Sequence, residues 1–320
     1  MSHLPIAPAQ GTHLVVGAGE VGSAVALLLA EAGVDVVIAS RRGRGPEHSA
    51  IRRLAVDASS VENLQAAVPE AVVIYNCVNP PYHRWSQEWP PMATAFRAYA
   101  ERTGAVLATC SNLYVYGPVD VLMSESLPLA ATGTKARVRI TMWQDDLAAN
   151  DAGRIRATEV RGSDYICAGT QSMFGDRVTP RILAGKSVQL LGDLDQPHTW
   201  TSPVDVARTL ITVAADPQGW GKAWHVPSNP PRTQRQVVAD IAERAGVPAV
   251  KASSVPALVL WGLGLVQPFM RELKETDYQR QRPYLLDDSQ ARSTFGLEPT
   301  PWDAVLDDLI AHYRGATLAV

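Results

Sequence analysis

The sequence predicts an α/β fold in which helices cover both faces of a parallel sheet, followed by a smaller C-terminal lobe. Short runs rich in β-branched residues alternate with helical stretches over the first two-thirds of the 320 residues. A glycine-rich turn joins the first of these runs to the first helical stretch. The chain is 46% hydrophobic and 19% charged, which is typical of a globular protein with a sizeable core.

This alternation locates each element along the chain. Ala71–Val78 is an almost continuous apolar run, as expected of a strand that is buried on both faces. The predicted strands are Thr12–Val16, Asp35–Ala39, Arg53–Val56, Ala71–Val78, Ala105–Thr109, Arg156–Val160 and Ala223–Val226. The predicted helices between them are Val21–Ala32, Ser60–Val68, Pro91–Thr103 and Arg137–Ala149.

Charge and cysteine content argue against several classes of partner and site. Lys and Arg number 29 against 32 Asp and Glu, so the chain lacks the basic surplus expected of a protein that binds nucleic acid or an anionic membrane.

Cys77, Cys110 and Cys167 are too few and too scattered for a disulfide framework or a zinc site, and we expect buried free thiols. The histidines are dispersed, so we predict no metal site. The N-terminus does not resemble a signal peptide, and we expect a cytoplasmic protein.

The glycine-rich turn reads Gly17-x-Gly19-x-x-Gly22. In a Rossmann-type fold the first glycine makes the tight turn, the second lets a pyrophosphate approach the backbone, and the third permits close packing of helix on strand. Glu20 and Val21 stand at the N-terminus of the following helix, where free N–H groups and the helix dipole attract phosphate. The turn therefore predicts a bound dinucleotide.

The end of the second strand indicates which dinucleotide is bound. NAD-specific sites usually place a carboxylate there, whereas this chain reads Ser40-Arg41-Arg42. A hydroxyl and two guanidinium groups suit the 2′-phosphate of NADP(H), so we expect NADP(H) rather than NAD(H). The alternative is a solvated basic loop that also includes Arg44. Asp57, just past the third strand, is placed to accept a hydrogen bond from the adenine amino group.

Proline-rich connections replace the alternation after about Gly175. We expect a dinucleotide-binding domain over residues 1–175 and 203–228, with a substrate-binding lobe over residues 176–202 and 229–320. The apolar stretch Val255–Val266 is too short to span a bilayer. We expect it to pack as a helix on the lobe or at a contact between two copies of the chain, which would make a homodimer.

Several segments together resemble the extended short-chain dehydrogenase/reductase family, the NAD-dependent epimerase/dehydratase group. They are GAGEVG, SRR, Asp57, NCVNPPY after the fourth strand, CSNLYVYGP after the fifth, RGSDYICAG and HTWTSPVDVARTL. The resemblance covers about residues 12 to 315. It implies the doubly wound fold, a nicotinamide cofactor, and cofactor contacts from Cys77, Val78 and Asn79.

The catalytic motif departs from the pattern of that family. Val16 stands where the family's first glycine would be, and Asn112 replaces the Ser or Thr four residues before the Tyr-Gly pair. No tyrosine lies between Gly117 and Asp164, so the Tyr-x-x-x-Lys is absent and Lys135-x-x-x-Arg139 occupies its place. The chain thus resembles an atypical member.

The chemistry of these replacements sets what each can do. Arg139 can hold a ribose but stays protonated, whereas Lys135 can donate a proton if its pKa is lowered. Asn112 can donate an N–H to a carbonyl oxygen. Tyr114 and Tyr165 are alternative proton donors. A further alternative is that Lys135 and Arg139 only bind cofactor phosphate or face solvent.

The resemblance and the altered motif favour an NADP(H)-dependent oxidoreductase that acts on a small organic carbonyl compound with a non-standard proton donor. One alternative is an epimerase or dehydratase that retains its nicotinamide, and another is a non-catalytic protein that senses the NADP redox state. Arg177, Arg181 and Lys186 are candidate ligands for a second pyrophosphate. A lobe rich in aromatic residues nevertheless argues against sugar nucleotides; these residues are Trp200, Trp220, Trp224, Trp261, Phe269 and Trp302.

Overall fold

The computed structural model of the protein describes residues 4–256 and 273–317. Most of the Val255–Val266 stretch, with Trp261 and Phe269, lies outside the described residues. The strands are β1 Thr12–Val16, β2 Asp35–Ser40, β3 Ile51–Ala55, β4 Val73–Asn76, β5 Val106–Asn112, β6 Arg156–Gly162, β7 Asp164–Tyr165, β8 Val188–Leu190, β9 Trp200–Thr201, β10 Lys222–His225 and β11 Ala252–Ser254.

Seven of these strands form one parallel sheet in the order β10-β6-β5-β4-β1-β2-β3. The chain starts at β1, moves outward to β3, and then crosses to the other side of β1 to continue at β4. Ligands of doubly wound sheets bind beside such a reversal, at the carboxyl ends of the strands. The predicted fold class is confirmed.

Helices cover both faces of the sheet. They are α1 Glu20–Glu31, α2 Val61–Ala67, α3 Trp85–Thr103, α4 Thr134–Asp151, α5 Thr179–Leu183, α6 Pro203–Ala215 and α7 Gln234–Arg244, followed by Tyr278–Gln281, Ser289–Phe295 and Trp302–Thr317. Side chains of β1 alternate between the two cores, because successive residues of a strand point to opposite faces. Val15 packs with α1 and α6, whereas Leu14 and Val16 pack on the side of α2, α3 and α4.

A separate hydrophobic cluster joins α5, α7, β8 and the helix Trp302–Thr317. This cluster lies in the region predicted as the substrate lobe. Helix Ser289–Phe295 belongs elsewhere, since Ala291, Phe295 and Leu297 pack into the core beneath α1 and α6. The C-terminal segment 229–320 therefore contributes to two cores.

Two helices begin earlier than the sequence predicts. Helix α3 starts at Trp85 instead of Pro91, so that Pro90 and Pro91 lie inside it. Helix α4 starts at Thr134 instead of Arg137, which places Lys135 in its first turn. Within the described residues, no helix has the length and apolar character needed to cross a bilayer.

Candidate active site

A cavity of about 920 Å³ opens at the carboxyl edge of the sheet. Its lining includes residues 16–21, 56–59, 110–114 and 162–165, each of which follows or ends a strand of the sheet. This is the edge at which doubly wound folds bind their ligands. All but one of the predicted cofactor residues line the cavity, and these are Gly17, Gly19, Glu20, Val21, Ser40, Arg41, Arg42, Asp57, Cys77, Val78 and Asn79. The exception, Gly22, packs directly behind the turn.

The three glycines of the turn have different surroundings. Gly17 has φ of +107°, and a Cβ there would lie 2.5 Å from the carbonyl oxygen of Cys77. A Cβ on Gly22 would lie 1.9 Å from the carbonyl oxygen of Gly17, so the helix packs directly on the turn. Gly19 has open space, because none of the described residues comes within 4 Å of the position of a Cβ there. The turn thus leaves room where a pyrophosphate needs it, and no described side chain caps the N-terminus of α1.

Positive charge surrounds the end of β2. Arg41, Arg42 and Arg44 line the cavity and are exposed, and their guanidinium groups form no hydrogen bond or ion pair with the part of the chain that the structure describes. The Ser40 hydroxyl accepts a hydrogen bond from the Arg44 backbone N–H at 2.8 Å and donates to its carbonyl oxygen at 2.9 Å. Ser40 therefore shapes the loop that holds the guanidinium groups, which remain available to an anionic ligand.

Asp57 lines the cavity at the neighbouring strand end. It accepts hydrogen bonds from the hydroxyl and backbone N–H of Ser59, at 2.7 and 3.0 Å, and these contacts lower its pKa. The carboxylate is therefore ionised at neutral pH and can accept from an adenine amino group. Across the cavity, Asn79 donates its side-chain N–H to Gln171 at 3.3 Å.

Two tyrosines meet inside the cavity. The hydroxyl oxygens of Tyr82 and Tyr114 are 2.7 Å apart. Tyr114 is buried, and burial raises its pKa well above the ordinary value for tyrosine. Tyr82 is partly exposed, and desolvation raises its pKa as well, although its hydrogen bond to Tyr114 acts in the opposite direction. Both hydroxyls are therefore protonated at neutral pH.

Arg139 lies beside this pair, with only 4% of its surface exposed. Its guanidinium carbon is 4.9 Å from the ring centre of Trp85 and 4.3 Å from that of Trp89, and its Nη1 donates to the Cys110 carbonyl oxygen at 3.3 Å. Burial lowers its pKa, but guanidinium starts so high that it keeps its charge. Arg139 thus supplies a fixed cation to the cavity.

Asn112 lines the cavity, whereas Lys135 does not. The Asn112 side-chain oxygen accepts from the Tyr114 backbone N–H at 3.1 Å, while its side-chain amide N–H groups bond to none of the described residues. Lys135 is 1% exposed and does not line the cavity. Its Nζ lies 3.1 Å from Oε2 of Glu275, whose Oε1 accepts from the Lys135 backbone N–H at 2.7 Å. This position does not support contact between Lys135 and a substrate.

A comparison with known proteins fits this geometry. The model of the NAD dependent epimerase/dehydratase family matches residues 13–226. The chain belongs to this family. UDP-glucose 4-epimerase from Thermotoga maritima, solved with UDP-glucose, superposes with a TM-score of 0.77 at 15% identity, over 96% of this chain and all of that one. dTDP-glucose 4,6-dehydratase from Bacillus anthracis, solved with NAD, gives 0.75 at 16% identity, over 96% and 97%.

One curated protein also matches in sequence. It is the phosphatidylserine decarboxylase proenzyme of Anaeromyxobacter sp. (strain K), 26% identical over 163 residues. The match covers 49% of this chain and 54% of the proenzyme, so the chain spans about half the length of this relative. A likeness of this extent says little about activity.

Tyr82 and Trp85 line the cavity, and the aromatic-rich composition of the segment after β4 predicts such a contribution to a substrate pocket. Sequence patterns did not single out Asp164, Gln171 or Tyr284 as site residues, although Asp164 lies in the segment RGSDYICAG. Burial acts to raise the pKa of Asp164, but His198, whose Nε2 lies 3.4 Å from the carboxylate, and the charge of Arg280 hold it below its usual range. Asp164 therefore adds a negative charge to the cavity.

Proposed function

We propose that this chain is an NADP(H)-dependent oxidoreductase that reduces a small organic carbonyl compound, with Tyr114 as the proton donor. The observation that carries the proposal is the pair of hydroxyls, Tyr82 and Tyr114, in a cavity that has no tyrosine from the usual motif. Arg41 and Arg42 support NADP(H), because their guanidinium groups lie at the end of β2, are unpaired among the described residues, and have the charge and shape to bind a 2′-phosphate. When bound, the cofactor supplies a hydride.

The residues around the hydroxyl pair favour reduction. Asn112 offers free amide N–H groups that can hold a carbonyl oxygen. Burial raises the pKa of Tyr114, so the hydroxyl keeps its proton at neutral pH and can give it to the alkoxide oxygen that hydride transfer creates, which is a far stronger base than tyrosinate. Oxidation of an alcohol, the opening step of an epimerisation through a keto intermediate, needs a base at this position instead. A buried tyrosine with a raised pKa is poorly suited to that role.

The cavity also supports a small substrate. Arg177, Arg181 and Lys186 are not among its lining residues, and the Nε of Arg181 donates to the Ser187 carbonyl oxygen. Of the cations that line the cavity within the described residues, three surround the end of β2 and the fourth, Arg139, is held between tryptophans. Few positive charges remain for the second pyrophosphate of a sugar nucleotide.

Membership of the family supports a second candidate, an epimerase or dehydratase that retains and recycles its nicotinamide. The two candidates differ in stoichiometry, because a reductase consumes one NADPH per product whereas an epimerase or dehydratase shows no net consumption.

The test measures NADPH binding and NADPH consumption over a panel of ketones, aldehydes, enones and imines. Consumption with one product formed per NADPH supports the reductase. Tight binding without consumption on any substrate overturns it, and purification with tightly bound nicotinamide then favours the epimerase or dehydratase. Tight but freely exchanging NADPH, still without consumption, favours a protein that senses the NADP redox state.

A further inference from the structure

The hydroxyl of Tyr82 is hydrogen-bonded to that of Tyr114, and Tyr82 is the more exposed residue of the pair. Tyr114 is 7% exposed, whereas Tyr82, on the turn Tyr82–Arg84 that precedes α3, is partly exposed. At 2.7 Å between the oxygens, the two hydroxyls share a hydrogen bond short enough for proton transfer. A proton lost from Tyr114 is therefore replaced most directly through Tyr82.

Trp85 contacts every member of this arrangement. Its ring stacks on Tyr114 at 6.2 Å between centres and meets Tyr82 edge to face at 5.2 Å. The Arg139 guanidinium lies over the same ring at 4.9 Å. The indole N–H donates to the Pro80 carbonyl oxygen at 2.9 Å, which fixes the ring against the loop after β4. One buried side chain thus positions two hydroxyls and a cation.

The charge of Arg139 favours transient loss of a proton from either hydroxyl. Its electrostatic influence lowers the pKa of Tyr82, while burial and the negative charge of Asp164 raise it. In the usual family motif a lysine four residues after the tyrosine supplies such a charge. Here the cation comes from α4, and the hydroxyls come from the segments after β4 and β5.

We propose that Tyr82 relays a proton from solvent to Tyr114, and that Trp85 is the positioning residue of this relay. The proposal rests on the proposed reductase function. The substrate carbon gains the hydride of the reduced nicotinamide, and the substrate oxygen gains the proton of Tyr114. In the same step the Tyr114 oxygen gains the proton of Tyr82, and Tyr82 afterwards recovers one from water, so that charge and protons balance.

The test compares Tyr82→Phe and Tyr114→Phe with the control Tyr99→Phe, which removes a buried tyrosine hydroxyl that donates to the Val68 carbonyl oxygen outside the cavity. We expect turnover to fall by about 10²-fold or more in Tyr114→Phe and by roughly 10²-fold in Tyr82→Phe, the lower end of the range for general acid catalysis. The KM for NADPH should stay unchanged in both, and Tyr99→Phe should keep the wild-type turnover.

A proton inventory in mixtures of H₂O and D₂O adds a readout that a structural defect does not mimic. We expect a curved dependence of the wild-type rate on the deuterium fraction, because two protons move, and a linear dependence in Tyr82→Phe. A linear wild-type inventory, or equal turnover in Tyr82→Phe and Tyr99→Phe, refutes the relay while leaving the reductase intact. A wild-type protein that reduces no carbonyl compound refutes both. The proton inventory of the wild-type protein tests the relay even if Tyr82→Phe fails to fold.

Discussion

Replacement of Arg41 and Arg42 together by alanine tests the selectivity for NADP(H). Both guanidinium groups are exposed at the end of β2 and bond to none of the described residues, so their removal breaks no contact within that part of the fold. A charge-assisted hydrogen bond contributes about 1.5–3 kcal/mol, and we take about 1.5 for each because both groups are solvated. The sum, about 3 kcal/mol, corresponds to a loss of roughly 10²-fold in affinity for NADPH.

The assay titrates wild type and the double variant with NADPH and with NADH, following the fluorescence of the reduced nicotinamide. We expect the affinity for NADH to stay nearly constant, since NADH has no 2′-phosphate. Arg52→Ala is the matched control, because Arg52 is an exposed arginine that lies 3.6 Å from Asp35 and outside the cavity. Raising the salt concentration should weaken wild-type binding of NADPH more than binding of NADH. Identical NADPH titration curves for wild type and the double variant would refute the assignment of the arginines to the 2′-phosphate.

Three further substitutions test other features. Gly19→Val should abolish nucleotide binding without unfolding the protein. The backbone of Gly19 is extended (φ −84°, ψ −169°), so a valine is tolerated there and its side chain fills only the open space. An NADPH affinity equal to that of wild type, measured by calorimetry, would contradict this prediction. Lys135→Met should lower the free energy of unfolding by about 2 kcal/mol, less than the roughly 3–5 for a fully buried pair because Glu275 keeps some solvent contact. Unchanged stability in denaturant with a lost limb in the pH profile would instead make Lys135 the proton donor. Burial raises the pKa of Asp146 from 3.8 to about 7, so the folded state holds the proton more tightly and the free energy of unfolding should fall as pH rises between these values. Asp146→Asn should remove that slope in denaturant titrations, and an unchanged slope contradicts the assignment.

The sequence was sufficient to predict the sheet and to locate the glycine-rich turn at one side of the cavity. Short apolar runs locate all seven strands of the main sheet to within a few residues, because parallel strands buried on both faces have a distinctive composition. Gly17 and Gly22 are predictable because a Cβ at either position would collide with backbone, whereas Gly19 is predictable from the space that a pyrophosphate needs.

The substrate half depended on contacts that local patterns do not encode. The sequence predicted a start at Pro91 for α3 because proline favours a first helical turn, whereas the structure carries the helix back to Trp85. Packing of Trp85 and Trp89 around Arg139 accompanies this earlier start. The pairing of Lys135 with Glu275 joins residues 140 positions apart, and no spacing in the sequence signals it.

The contacts of Arg139 with Trp85 and Trp89 also bear on how this chain could change into one with the usual motif. More than one substitution would be needed. Arg139→Lys would replace the planar guanidinium that lies 4.9 and 4.3 Å from the two indole ring centres with a compact ammonium, and would leave both contacts poorly filled. Lys135→Tyr would release the Glu275 carboxylate from its buried partner. Each change alone weakens the fold before the two together can restore the Tyr-x-x-x-Lys. A chain with this arrangement of donor and cation therefore cannot reach the usual motif through one substitution at a time without passing through a less stable protein.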